Sequence, residues 1–343
     1  MTKEGKIVAI SYFWVHFLVE VACFALITKY VSLPNALIIS FVFDFFAFVP
    51  QFLFGIINVR HKKLDIGSIG ILLMLIGVLF FDTSSYIKLI MFALFIGIGN
   101  TIMHECGAIS TVITGSGKLF PSALFVAGGS FGLVTGKLIS GMLQTKIIVI
   151  LALALMELIV LLTNKYWLKD DVKYPDYHIT KKEVPVTTIV YIATFITFAR
   201  SFIGYAIPIS WNKSVWQTLF LFMMMGTGKA FGGFLSDKIG ARNVSLITTI
   251  GCIPFLILGE NIMMVSIFGV FLFSMTMSIT YGMLLSVIKN NPGLAFGYTT
   301  IGLFLGICPV FIVSISKQIN IILIVILSIL AMLGFLKTLS KEK

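Results

Sequence analysis

Twelve apolar stretches of helix length alternate with polar connections along the chain, over residues 8–28, 34–56, 65–83, 86–106, 120–141, 145–163, 186–208, 215–235, 243–260, 262–284, 294–315 and 319–337. An α-helix needs roughly 20 apolar residues to cross a bilayer core. The pattern therefore predicts an all-α polytopic membrane protein with twelve transmembrane helices.

One connection differs from the rest. From Asn164 to Pro185 the chain reads NKYWLKDDVKYPDYHITKKEVP, its one extended polar segment, which divides six spans from six. The expected organisation is an N-terminal six-helix bundle over 1–163, a cytoplasmic linker over 164–185 and a C-terminal six-helix bundle over 186–343, with a path between the bundles. An internal repeat supports the division. Ser110 to Phe120, STVITGSGKLF, lies over Ser286 to Phe296, SVIKNNPGLAF, and FGIINVRHKK after the second span falls near the same offset from GGFLSDKIGAR after the eighth.

Composition excludes a soluble protein. Hydrophobic residues make up 58% of the chain and charged residues 11%, with a mean hydropathy of +1.05, more apolar surface than a folded domain could cover. The first apolar run follows Lys3 and Lys6, contains His16 and Glu20 and lacks a small-residue cleavage pattern, so it reads as a span rather than a cleavable signal. Cys23, Cys106, Cys252 and Cys308 fall in apolar runs without ligand spacing and read as packing residues. No metal site and no cofactor is expected.

Sidedness follows from Lys and Arg. With both termini inside, the inner tails and loops hold Lys3, Lys6, Arg60, Lys62, Lys63, Lys118, the linker lysines, Lys229, Lys238, Arg242, Lys289, Lys337, Lys341 and Lys343, against Lys29, Lys88, Lys146, Lys213 and Lys317 outside. This asymmetry places the termini in the cytoplasm. The net charge of +11 then belongs to a face that meets anionic lipid headgroups, and nucleic acid is not an expected partner.

Ionisable residues inside the spans gather in the first half, as His16, Glu20, Asp44, His104 and Glu105. Each is costly in hydrocarbon, which makes them candidates for transport and proton coupling. His16 and Glu20, four residues apart, share a helix face. Histidine exchanges protons near neutral pH, which suits a group that binds a proton in one conformation and releases it in another. In the second half Arg200 is the expected exception, placed to face the central path and either meet an anionic substrate or neutralise a first-half acid in one state. Glu157 lies inside the sixth span with no evident partner. Gly128, Gly129, Gly132 and Gly136 offer close helix contact, the last two as a small-xxx-small step. There is neither a nucleophile–base set nor a nucleotide-binding loop, so an enzyme and an ATP-driven pump are not expected.

Gly226 to Arg242, GTGKAFGGFLSDKIGAR, resembles the inner-loop signature of the major facilitator superfamily. The resemblance implies two pseudo-symmetric six-helix bundles and a cytoplasmic gate in which Gly233 is a packing position and Asp237 the loop acid, with Lys238 and Arg242 its basic partners. In the first-half counterpart Val59 stands where an acid is expected. Within the superfamily, HFLVE, FDFFAFVPQFLFG, MHECGA and SALFVAGGSFGLVTG resemble segments of the fosmidomycin-resistance type of exporter. His16, Glu20, Asp44, Gln51, His104 and Gly107 match that pattern, and Gln51 joins Arg200 as an expected substrate contact. Glu105 departs from it, standing one position from the family's glutamate, a turn of about 100° around the helix. The resemblance implies a proton-coupled antiporter for efflux of a small amphipathic or anionic compound, working as a monomer in a bacterial plasma membrane. Uptake or facilitated exchange of a small organic acid fits the same residues, and a transporter-derived membrane sensor is a third possibility.

Overall fold

The computed structural model describes residues 1–30, 36–60, 64–169 and 173–341. The helices are α1 (Lys3–Tyr30), α2 (Ala36–Phe48), α3 (Gln51–Arg60), α4 (Ile66–Phe80), α5 (Tyr86–Thr114), α6 (Phe120–Ile139), α7 (Thr145–Trp167), α8 (Val186–Ala206), α9 (Val215–Ile239), α10 (Ala241–Leu258), α11 (Met263–Ser274), α12 (Met277–Val287), α13 (Pro292–Ile312) and α14 (Lys317–Thr338). The pairs α2/α3 and α11/α12 are broken spans, so these helices occupy the twelve expected stretches. Among the described residues, eleven spans are long and apolar enough to cross a bilayer, and the apolar α4, of 15 residues, is shorter. The chain is a multi-pass membrane protein. Lys343 and the first-half loop signature around Val59, Arg60, Lys62 and Lys63 fall outside the described side chains.

Both broken spans are held by side chains from neighbouring helices. Pro50 has no N–H and ends α2, which frees carbonyls near the break. Thr101 of α5 donates to Phe46 O at 2.6 Å and Ala47 O at 2.9 Å, and Gln51 Nε2 donates to Ala47 O at 2.7 Å. Between α11 and α12, Arg200 Nη1 donates to Phe273 O and Thr276 Oγ1, and its guanidinium lies 4.7 Å from the Phe273 ring centroid. Such discontinuities persist at membrane depth only where the freed backbone groups find protein partners.

The glycine-rich face of α6 is a groove for α1. Gly128 lies against the Phe13 carbonyl, Gly132 against that of Phe17 and Gly136 against that of Val21, so a β-carbon at any of these positions would push the helices apart. The two halves meet along two seams. In one, α6 packs on α9, with Gly233 against Ala123 and Gly226 against the Phe131 ring. In the other, α3 packs on α13 through Gly55 against Gly293, and Phe41 and Phe45 of α2 each lie 5.8 Å from Phe304 of α13.

The linker is a docked segment. Helix α7 continues past Asn164 to Trp167, and the chain beyond it buries Tyr177. Ile179 O accepts from Ser340 N–H at 2.9 Å, and Lys181 N–H donates to Thr338 O at 2.8 Å. Glu157 gains the partner that its sequence position did not reveal, because Ser68 of α4 donates to it at 2.7 Å.

Candidate functional site

The site is built on α1 and α5. On α1, one helical turn brings His16 Nε2 to 3.7 Å from Glu20 Oε1. On α5, Asn100 and His104 are likewise a turn apart, and both reach the same carboxylate oxygen, Asn100 Nδ2 at 3.3 Å and His104 Nε2 at 3.5 Å. The two imidazole rings meet edge to face with centroids 4.3 Å apart. His16, Glu20 and Asn100 are buried, with His16 only 6% exposed and Glu20 9%.

Backbone carbonyls fix both rings. His16 Nδ1 lies 2.8 Å from Phe125 O and His104 Nδ1 2.9 Å from Asn100 O. A carbonyl only accepts, so each Nδ1 is assigned the hydrogen, and each neutral ring turns its Nε2 lone pair toward Glu20. Phe125 and Phe296 form an aromatic wall beside the rings, with Phe296 stacked 6.5 Å from His104. Gly129 leaves the space that the His16 ring fills.

A second-half cation completes the arrangement. Lys229, in the middle of α9, reaches across the seam and donates to Ser130 of α6 at 2.8 Å, beside the Gly129 that lines the His16 ring. Two expectations are corrected here. Lys229 was counted with the inner-loop charge, but it lies inside a span, and Arg200 is therefore not the sole intramembrane exception of the second half. The signal was available in sequence, because Lys229 falls within the apolar stretch 215–235. Asn100 carried no such signal, being a neutral residue in a long apolar run.

The remaining candidates lie elsewhere. Asp44 is half-buried on α2 outside the three-residue cluster, with longer-range coupling to Glu20. Gln51 is 1% exposed and its amide nitrogen is engaged at the Pro50 break. Arg200 is directed into the C-terminal bundle, where a cavity of about 20 Å³ lined by Thr249, Cys252 and Ser328 lies beside it. It is not brought to the first-half acids. Glu105 is fully buried, neither of its oxygens has a hydrogen-bond partner among the described residues, and it lies against Gly293 of α13. The 100° step around α5 separates it from His104 and directs it into the seam between the halves.

At the end expected to face the cytoplasm, the backbone amides of Leu119 and Phe120 donate to Asp237, at 2.8 and 3.0 Å. The N-terminus of α6 has no side-chain cap of its own, so the second half supplies one, with a negative charge at the positive end of a helix dipole. Lys238 lies 5.9 Å from the Phe234 ring centroid, and Arg242 sits in the first turn of α10. Asp237→Asn, which puts an NH2 group where one of these two amides now finds an accepting oxygen, is expected to loosen this contact by about 1 kcal/mol, roughly a fivefold shift toward the open form of this end. Thiol labelling of a cysteine introduced at Ala123, which packs against Gly233, measures it. Unchanged labelling would show that the cap does not hold this end closed.

No family model matches the sequence, and neither does any curated protein. Solved structures do match. The crystal structure of a single-residue variant of the E. coli fucose:proton symporter FucP aligns with a TM-score of 0.64 at 13% identity, covering 98% of each chain. A Major Facilitator Superfamily transporter, FucP in the outward conformation, aligns with a TM-score of 0.66 at 15% identity, covering 99% of each. These likenesses are end to end and show the fold: two six-helix bundles of the Major Facilitator type. The resemblance holds at that level and does not single out the fosmidomycin-resistance type. Both of these structures are of FucP, a fucose:proton symporter, and the expectation of antiport and efflux is corrected accordingly.

Proposed function

We propose that this protein is a secondary active transporter of the bacterial plasma membrane that takes up a small organic acid together with a proton by alternating access. The observation that carries this reading is the placement of Glu20, ringed by His16, His104 and Asn100 in the first half, within the field of Lys229 from the second half. Fold likeness to a proton symporter supports the direction.

Charge balance supplies the coupling. With the site empty, Glu20 carboxylate offsets Lys229 ammonium. With the site loaded, a proton neutralises Glu20 and the substrate anion pairs with Lys229. Both states are neutral, whereas a half-loaded site carries an unpaired buried charge, which costs several kcal/mol. Only the empty and doubly loaded forms then cross readily. Asn100 orients the carboxylate, and His16 and His104 accept from the protonated acid and can hold the proton in transit. Asp44, farther out along the first half, passes protons toward Glu20, and Glu105 enters the cycle as the inner seam separates. Arg200 acts as a brace for the α11/α12 break. As the halves rock, the Lys229–Ser130 bond and the Asp237 cap are the contacts that must part.

Uptake of labelled mono- and dicarboxylates into proteoliposomes under an inward proton gradient tests the reading. Accumulation that collapses with the gradient is expected for at least one acid. Passive equilibration alone, for every acid that binds, would contradict it.

A further inference from the structure

The three atoms that converge in the site are metal-ligand atoms as well as proton acceptors. His16 Nε2, Glu20 Oε1 and His104 Nε2 lie within 4.8 Å of one another. A zinc-like ion bonded at 2.0–2.1 Å to tetrahedral ligands holds them about 3.3 Å apart. The two edges to Glu20, 3.7 and 3.5 Å, are near that value, and the third lies within 4.8 Å. Each imidazole gives its Nδ1–H to a backbone carbonyl, the outer-shell contact that fixes a metal-binding tautomer and raises the basicity of Nε2. Two imidazole nitrogens and a carboxylate oxygen facing one another form a donor set that one shared cation, a proton or a metal ion, can hold together.

We propose that His16, Glu20 and His104 form a binding site for a divalent transition-metal ion of the zinc class, which competes with the coupling proton. Two neutral imidazoles and one carboxylate suit zinc, cobalt and nickel better than calcium or magnesium, which prefer oxygen ligands. Three protein ligands leave a fourth position for water or a carboxylate of the transported acid. Lys229 opposes the ion, because its ammonium is held on Ser130, next to the Gly129 that lines the His16 ring. Sequence reading, which expected no metal, could not find this set: two ligands share one helix turn, but the third comes from a helix about ninety residues away.

The inference rests on the Glu20-centred site of the transport proposal, and the two are separable by experiment. The intact chain in lipid nanodiscs is titrated with cobalt(II), whose visible absorption reports four- or five-coordinate nitrogen and oxygen ligation. One cobalt per chain, displaced by zinc, is expected. His16→Ala and His104→Ala should each weaken binding by at least about 100-fold, judged against the 10- to 100-fold that loss of an outer-shell partner alone produces. Lys229→Gln should tighten it, and His178→Ala, at an exposed linker position, should leave it unchanged. Each variant is first shown to elute as the parent does in gel filtration. Absence of the cobalt band in the parent protein would overturn the metal site, as would binding indifferent to His104→Ala. Proton flux in chelator-treated proteoliposomes is read in parallel: intact flux without cobalt binding removes the metal site alone, and cobalt binding without flux removes the transport reading.

Discussion

Glu20→Gln is expected to abolish net proton-driven uptake, by at least about 100-fold, while exchange of substrate across the membrane stays within about tenfold of the parent. The physical reason is the balance of buried charge. A glutamine resembles the protonated acid, so a carrier with substrate bound remains neutral and still crosses. The empty carrier does not, because the half-buried Lys229 then has no counter-charge to offset it in the site. A difference of 1.4 kcal/mol is a factor of ten, so about 3 kcal/mol, the low end of the cost of leaving a buried charge unpaired, stalls the return step. Glutamine can still accept from Asn100, which now reaches Glu20 Oε1 at 3.3 Å, so the fold around α1 and α5 should survive. The check is a pair of assays on the same proteoliposomes, net uptake and counterflow. Equal loss in both would point to a damaged site rather than to lost coupling.

Lys229→Met is expected to have the opposite signature. It removes the positive charge that meets the substrate anion, so equilibrium binding of the labelled acid should weaken by at least about 100-fold and exchange should fall with it. Methionine fits the same helical space and packs acceptably among glycines and aromatic rings. What is lost is the ammonium and its bond to Ser130. Lys137→Met provides the comparison, since Lys137 is exposed near the end of α6, with its ammonium 5.4 Å from the Phe222 ring centroid. Its binding should match the parent. If Lys229→Met also bound the acid normally, the substrate anion would have to be held elsewhere.

These expectations rest on features that differ in how far they could be read from the chain. The twelve spans were legible because bilayer thickness imposes a run length on the sequence, and a hydrophobic run announces itself wherever it lies. The pairing of His16 with Glu20 was legible because one helix turn joins them. The repeat at Ser110 and Ser286 points to the α5–α6 and α12–α13 turns, and each turn has a residue with positive φ, Ser116 at 57° and Asn290 at 61°. Gly128, Gly132 and Gly136 were correctly read as close-packing positions because only a stripe at that spacing lets two backbones touch.

What was illegible depends on azimuth around a helix. Arg200 lies at a plausible depth in α8, but depth does not say whether its face looks into the central path or into its own bundle, and the α11/α12 break that draws it inward has no proline to mark it. His104 and Glu105 are neighbours in sequence, yet one meets Glu20 and the other meets Gly293. Asn100 is uncharged and sits in an apolar run, so its contact with Glu20 became visible only when α1 and α5 were brought together. Direction of transport was read from motif similarity in residues of the first half, which bear on proton handling and say little about the sense of substrate movement.

The most direct measurement is the sign of proton movement when an organic acid is added outside proteoliposomes that enclose a pH-sensitive dye, with no pre-existing gradient. Symport predicts that the interior acidifies as the acid enters, in proportion to the acid carried, and that the signal is lost in Glu20→Gln. An interior that becomes alkaline as the acid enters, or acid entry with no proton movement, would contradict it.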